Sequence, residues 1–235
     1  MKTKLTYLLV FLMIAVTGFS QKPKAFFGIS AGLSSPQGDF ASKEFDSTGA
    51  GFAVNGFNLN LMYAHRLTYN LGITGSLLFN AHAFDGESFK NQVSLDTLDF
   101  PLTAVPKNWG GFGIMGGPFL YFPLGEYFNI DIRTLIGLYS VYSPEVVVTG
   151  KQQNGENFQL RLLKYNGIGF SYNLGTTVRF KFGNASYLML NADYFSSKPS
   201  FKDVKWLDNN GEIEYRTFKR DISLINLTVG LGYAL

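Results

Sequence analysis

The chain has 235 residues, contains no cysteine and carries a formal net charge of +3. Without cysteine, disulfides, thiolate metal sites and a lipid-modified cysteine anchor are excluded. Two of the basic residues, Lys2 and Lys4, lie in a region that we expect to be cleaved, and their removal lowers the net charge to +1. This balance gives no indication of a nucleic-acid partner.

A secretory signal peptide is predicted for residues 1–20. The two lysines precede an apolar run over residues 8–16, and small residues occupy the positions that a signal peptidase reads before Gln21. The run is too short for a membrane-spanning helix, which needs roughly 20 apolar residues. We therefore assign residues 21–235 to one mature domain.

Eight segments of the mature chain alternate apolar residues with polar residues or glycine, and a period of two predicts β-strands. In chain order, they cover residues 27–34, 56–63, 71–80, 109–122, 128–139, 168–182, 188–194 and 221–235. The last segment has the strictest alternation. The fourth is the least regular, because Pro118 lies inside it and proline in a strand usually marks an edge or a bulge.

The connections between these segments alternate between long and short along the chain. Gly183-Asn184, in a short connection, has hairpin chemistry. Short periplasmic turns, long extracellular loops and an even strand count are typical of bacterial outer-membrane barrels. Two further strand-like runs, 145–149 and 158–163, are interpreted as continuations of the fifth and sixth strands above the membrane.

The predicted fold class is therefore all-β, an eight-stranded antiparallel transmembrane β-barrel with ten strands as the alternative. No later segment is a continuous apolar helix candidate, and a closed barrel is the other structure that satisfies every backbone group in lipid. We expect the protein in the outer membrane of a Gram-negative bacterium, surrounded by the lipid bilayer, with both termini in the periplasm.

Charged residues on the polar faces of the strands predict a cluster inside the barrel. These residues are Asp131, Arg133, Arg179, Lys181 and Asp193. Exposing an Arg or Lys to lipid costs roughly 2–4 kcal/mol at the midplane, so the side chains should point inward. Because about eight strands leave an interior that side chains can fill, we favour a structural plug over a permeation or binding site.

No catalytic residue, cofactor site or metal site is predicted. The two histidines, His65 and His82, fall in predicted connections without a nucleophile and orienting group in a recognisable arrangement. The acidic residues between 82 and 108 lack the spacing of a calcium loop. The glycine-rich runs precede no helix and so do not indicate a phosphate site.

The long connections carry aromatic residues mixed with charges of both signs, a composition that is common where loops bind partners. Candidates for contact with a protein partner are Trp109, Phe158, Trp206 and Tyr215. The alternative is that the aromatic residues pack on one another as a cap over the barrel.

The segment Gly28-Ile29-Ser30-Ala31-Gly32-Leu33-Ser34-Ser35-Pro36-Gln37-Gly38-Asp39-Phe40, the signal ending before Gln21 and the C-terminal strand carry a resemblance. Together they resemble the small outer-membrane β-barrel proteins of Bacteroidota, including the PorT-like proteins, and more distantly the OmpX-like barrels. The resemblance implies a barrel that works within a larger outer-membrane assembly.

The leading functional hypothesis is a non-enzymatic barrel whose long extracellular loops bind a surface or membrane partner. A narrow pore for small solutes is the alternative, and an outer-membrane lipid-modifying enzyme is the third hypothesis.

Overall fold

The computed structural model describes residues 25–44, 50–97, 103–151, 157–162, 164–207 and 213–235. Within these ranges lie thirteen strands, a short 3-10 turn (Gly38–Phe40) and one α-helix, α1 (Gly86–Thr97). The strands are β1 (Ala25–Gln37), β2 (Ala53–Arg66), β3 (Leu71–Phe84), β4 (Thr103–Pro106), β5 (Trp109–Leu124), β6 (Phe128–Tyr142), β7 (Val146–Lys151), β8 (Asn157–Leu162), β9 (Asn166–Lys181), β10 (Ser186–Ser197), β11 (Ser200–Leu207), β12 (Ile213–Lys219) and β13 (Ile222–Ala234).

Eight of these strands form a closed antiparallel barrel, in the order β1, β2, β3, β5, β6, β9, β10 and β13. The ring closes where β13 pairs with β1, from Phe26↔Ala234 to Gln37↔Ser223. A closed ring leaves no sheet edge, so its backbone groups are paired within the barrel. The prediction of eight strands is confirmed. The alternative count of ten corresponds to the full sheet, because β11 and β12 extend it beyond the barrel.

An apolar belt surrounds the barrel, because strand alternation sends one set of side chains outward. Aliphatic members of this belt, each about half exposed, are Ile29, Ile114, Ile132, Ile136, Leu138, Leu174, Leu190, Leu227 and Leu231. Exposed aromatic side chains lie near the strand ends, as expected for interfacial girdles. At the end where β1 begins and β13 ends, these are Phe27, Tyr63, Phe122, Phe128, Phe182 and Tyr233.

The two ends of the barrel differ. One end carries the short connections between β2 and β3, β5 and β6, and β9 and β10, together with the first residues of β1 and the last residues of β13. We name it the turn end. The opposite end carries α1, the short strands and the long connections, and we name it the loop end. Among the described residues, no helix is long and apolar enough to cross a membrane.

Two expectations about single segments are wrong. The described residues of the runs at 145–149 and 158–163 do not continue the barrel strands, because β7 pairs with β8 and with β4 in a separate three-stranded sheet. Pro144, which has no N–H to donate, follows the end of β6 and interrupts the ladder there.

Pro118 marks neither an edge nor a bulge. On one side it pairs with Ile73 of β3, and on the other side the pairs Gly116↔Ile136 and Phe119↔Arg133 keep a single register with β6. The β5–β6 ladder has no pair at residues 117 and 118, so the missing N–H of the proline interrupts it only locally.

Candidate functional site

An ion pair inside the lumen joins Arg133 on β6 to Asp193 on β10 across a single intervening strand. Arg133 Nη2 lies 2.6 Å from Asp193 Oδ1 and 2.7 Å from Oδ2, and the two side chains are only 2% and 5% exposed. On the intervening strand β9, Gly175 lies opposite both residues. A Cβ at Gly175 would overlap Asp193 Oδ1, so this glycine gives the pair the space to form.

A second ion pair joins Arg179 on β9 to Asp131 on β6, nearer the turn end. Arg179 Nη2 donates to Asp131 Oδ1 at 2.6 Å. The guanidinium also lies 4.4 Å from the ring centroid of Phe26 and 5.2 Å from that of Tyr121. Both contacts are within cation–π range, so the two rings help to stabilise the buried charge.

Hydrogen bonds continue from the Arg133 ion pair around the barrel wall. Arg133 Nη1 donates to Thr177 Oγ1. Thr177 donates to Asn191 Oδ1 at 2.7 Å, and Asn191 Nδ2 donates to Thr228 Oγ1 at 3.0 Å. This chain links β6, β9, β10 and β13, and it gives the buried charge the polar partners that burial requires.

Both histidines lie on strands, whereas the sequence interpretation placed them in connections: His65 lies at the end of β2, and His82 lies on β3 and points into the lumen. His82 Nε2 is 3.2 Å from Ser34 Oγ, and its Nδ1 is 3.1 Å from the Val54 carbonyl oxygen. Ser34 donates its proton to Asn226 Oδ1 at 2.5 Å. The group contains the residue types of a catalytic triad, but Ser34 is fully buried and its proton is directed away from the histidine. This geometry fits a structural network.

The loop-end half of the lumen is filled by apolar side chains. The larger members of this buried cluster are Phe40, Trp109, Tyr139, Phe195, Phe201, Ile222 and Leu224. Tyr139 crosses toward Gly111, where a Cβ would overlap the tyrosine hydroxyl oxygen. The lumen is therefore occupied at two levels, by ion pairs toward the turn end and by an apolar layer toward the loop end.

Trp109 and Arg220 hold the connection between β1 and β2 over this layer. The Trp109 indole donates to the Gly51 carbonyl at 2.9 Å, and its ring packs edge-on against Phe40. Arg220 donates to the Ala50 carbonyl and lies 5.4 Å from the Trp109 ring centroid. Burial lowers the pKa of Arg220 to about 10, so the guanidinium remains charged at neutral pH. We name this group of five residues the cap.

Asp85 connects α1 to the segment that follows β1. It accepts a hydrogen bond from the Ser88 backbone N–H at 2.9 Å, which satisfies a donor in the first turn of α1. Its other oxygen lies 2.5 Å from Lys43 Nζ. Burial acts to raise the pKa of Asp85, but the contacts with Lys43 and Ser88 outweigh it and hold the pKa below its usual value.

The lumen residues expected from the sequence form two ion pairs. Arg133 pairs with Asp193, and Arg179 pairs with Asp131. Lys181 is half-buried at the end of β9 and has no ion-pair partner within the part of the chain that the structure describes. The roles of Gly175 and His82 were not predicted from the sequence. The role of Gly175 depends on two side chains meeting across a third strand, and that of His82 depends on how far β3 extends. Alternation within one segment shows neither.

The four aromatic candidates at the loop end are placed differently. Trp109 is buried in the cap, so a direct contact with a partner would require the cap to open. Tyr215 lies on β12 with 63% of its surface exposed. The side chains of Phe158 and Trp206 lie outside the described part of the structure. Among the described residues, no group of acidic or histidine side chains is arranged to hold a metal ion.

The closed eight-stranded ring, the apolar belt and the contrast between turn end and loop end define an outer-membrane β-barrel. No family model matches the sequence, and a search of curated proteins finds no match. The resemblance to PorT-like proteins stays a prediction.

Comparison with solved structures finds similar chains. The chain is similar to a major outer membrane protein from Thermus thermophilus, with a TM-score of 0.50 and 10% identity over 92% of this chain and 100% of that chain. It also matches Ail of Yersinia pestis, with a TM-score of 0.43 and 13% identity over 92% and 100% of the two chains. A third match is OprG from Pseudomonas aeruginosa, with a TM-score of 0.42 and 11% identity over 91% and 94%. At the identity of the Thermus protein, the likeness concerns the fold alone.

Proposed function

We propose that this protein is a non-enzymatic outer-membrane barrel that binds a protein partner through its loop end, outside the cell, with both termini in the periplasm. The observation that carries the proposal is the hairpin β11–β12, which extends the barrel sheet beyond the ring. The short turns lie at the end where β1 begins and β13 ends. They support this orientation, because outer-membrane barrels keep their short turns in the periplasm.

The hairpin is anchored to the barrel. Ser200 and Phe201 pair with Ile168 and Gly167 at the loop end of β9. Phe201 is fully buried and stacks on Phe218, with ring centroids 5.0 Å apart. The base of the hairpin is therefore held by the packed lumen, which fixes where the hairpin leaves the barrel.

The outer edge of β12 offers a binding surface of defined chemistry. In the described residues, β12 pairs with β11 and with no second strand. An unpaired edge presents backbone N–H and C=O groups to an extended segment of another chain. The exposed Tyr215 on the same strand adds an aromatic contact of the kind that dominates binding energies.

Site-specific photo-crosslinking tests the proposal. Tyr215 is replaced by p-benzoylphenylalanine in cells that carry the protein in their outer membrane, and Tyr127 is replaced in a matched control. Tyr127 is similarly exposed, at 59%, but lies at the turn end. We expect a discrete adduct from position 215 that is absent from position 127. No adduct at position 215, or the same adducts from both positions, would contradict the proposal.

The alternative function, a narrow pore, requires a path through the lumen. Both the ion pairs and the apolar layer would have to move to create one, since each fills the barrel at its own level. For this reason we favour binding at the loop end over conduction.

A further inference from the structure

A small cavity opens into the barrel at the turn end, below the Arg179 ion pair. Its volume is about 30 Å³. Among the side chains that line it are Phe26, Arg66, Tyr121, Asn129, Arg179 and Tyr187. A cavity of roughly 10–15 Å³ already holds one water molecule, so this cavity has room for one small polar group.

The charges around this cavity do not cancel. Arg179 is paired with Asp131. Arg66 lies 4.7 Å from the ring centroid of Tyr121 and has no ion-pair partner among the described residues. Two guanidinium groups against one carboxylate leave the lining with one excess positive charge.

Arg179 also has a donor that the protein does not use. Its side chain is about 93% buried, and Nη2 is engaged by Asp131. Its Nε–H has no hydrogen-bond partner among the described residues. A buried donor without an acceptor is costly, and the cost is higher for a charged group. A hydrogen-bond acceptor bound in the adjoining cavity would remove this cost.

We propose that this cavity binds one small carboxylate group, held by Arg179 and Arg66 between the tyrosine rings. A carboxylate supplies the single negative charge that balances the lining, and its two coplanar oxygens suit the planar fork of a guanidinium. The volume admits a formate-sized group. The carboxylate comes either from a free small acid or from the end of a polypeptide at the periplasmic face.

Arginine side-chain NMR of the full mature barrel in detergent micelles tests the site directly. The protein is labelled with ¹⁵N-arginine and titrated with sodium formate at constant ionic strength, maintained with sodium chloride. We expect the Arg179 Nε–H signal to move saturably. Arg133 is the internal control, because its Nε is also unpartnered among the described residues but it does not line the cavity, so its signal should stay in place.

A variant and two peptides complete the test. Arg66→Gln should weaken formate binding by about tenfold, the effect of losing one charged contact. A short peptide with a free C-terminal carboxylate is compared with its C-terminal amide. Tighter binding of the acid than of formate would identify a polypeptide source, and binding of formate alone would identify a free acid.

The proposal is overturned if the Arg179 signal does not saturate, if chloride alone shifts it equally, or if Arg66→Gln leaves the affinity unchanged. Should Arg66→Gln fail to give the folded band on a semi-native gel, the comparison of Arg179 with Arg133 in the natural protein decides the matter.

Discussion

Arg133 and Asp193 lie in the lumen with little contact to solvent, where an isolated charge would be strongly unfavourable. Their attraction is supported by Thr177, which accepts a second guanidinium hydrogen bond. Buried ion pairs often contribute little net stability, although removing one partner is strongly destabilising because the other charge is left behind. The pair therefore matters for stability mainly because neither charge can be removed alone.

This reasoning predicts the outcome of a double-mutant cycle at the pair. Asp193→Leu alone and Arg133→Met alone should each lower the free energy of unfolding by roughly 3–5 kcal/mol. The double variant should be less destabilised than the sum, since no buried charge remains unpaired. Urea unfolding of the barrel in lipid vesicles, followed by tryptophan fluorescence, measures all three. Strictly additive losses would show that the two residues do not interact.

Gly175 supports a separate prediction, because its missing side chain is what lets Arg133 reach Asp193. Gly175→Ala should lower the free energy of unfolding by roughly 3 kcal/mol, the cost of breaking a buried pair. The matched control is Gly75→Ala on β3, where a Cβ would meet nothing closer than 3.8 Å. Equal losses of unfolding free energy for the two substitutions in the same assay would contradict this explanation.

At the scale of single residues, the sequence predicts that the charged side chains point inward. Alternation and the cost of exposing a charge to lipid can be judged for each strand separately. It does not predict that Arg133 pairs with Asp193 across β9. That contact depends on the register of three strands and on a glycine at the crossing, and neither can be inferred from any one segment.

Among the secondary-structure elements, the barrel strands were predictable and the loop-end elements were not. Alternation identifies β13 directly, since one face meets lipid along its whole length. The helix α1 has no apolar stripe that would predict it; its signal is local, in Asp85 followed three residues later by Ser88. The sheet of β4, β7 and β8 depends on pairing between distant segments, which alternation within each cannot assign.

Asp85 makes the attachment of α1 sensitive to acid. Its pKa in the folded protein lies below the usual value of 3.8, despite burial, because of Lys43 and Ser88. A carboxyl group with a lowered folded pKa contributes stability above its unfolded pKa and loses it as the pH falls through the folded value. We expect amide exchange in α1, corrected for intrinsic rates, to rise below about pH 4.

The control for this prediction is Asp85→Asn, which cannot ionise. Its α1 should exchange faster already at neutral pH and should show no further acid-dependent change after the same correction. Asp221, in an exposed ion pair with Lys198, provides a comparison site that should have little effect on α1 when changed to Asn. A wild-type α1 that is unaffected by acid would contradict this role for Asp85.

The whole molecule was the most predictable level. The alternation of long and short connections gives the strand count, the antiparallel order and the two unlike ends, because this sorting of connections is typical of membrane barrels. The partner and the process are not predictable, since binding depends on loop surfaces that share no periodicity. The filled lumen is a property of the whole, created by side chains from strands all around the ring.

Because the ion pairs and the apolar layer close the lumen in series, removing one of them should not open it. Arg133→Ala with Arg179→Ala leaves the layer around Phe195 and Leu224 in place. This double variant should therefore remain closed if the barrel still folds, which its mobility on a semi-native gel establishes.

Planar-bilayer recording of the purified natural protein tests the central claim most directly, namely that side chains fill the barrel and leave no pore. We predict no discrete, stable conductance steps at neutral pH, because the two levels of side chains fill the lumen across the described part of the barrel. Reproducible steps of uniform size from the folded barrel would contradict the claim and would favour the pore.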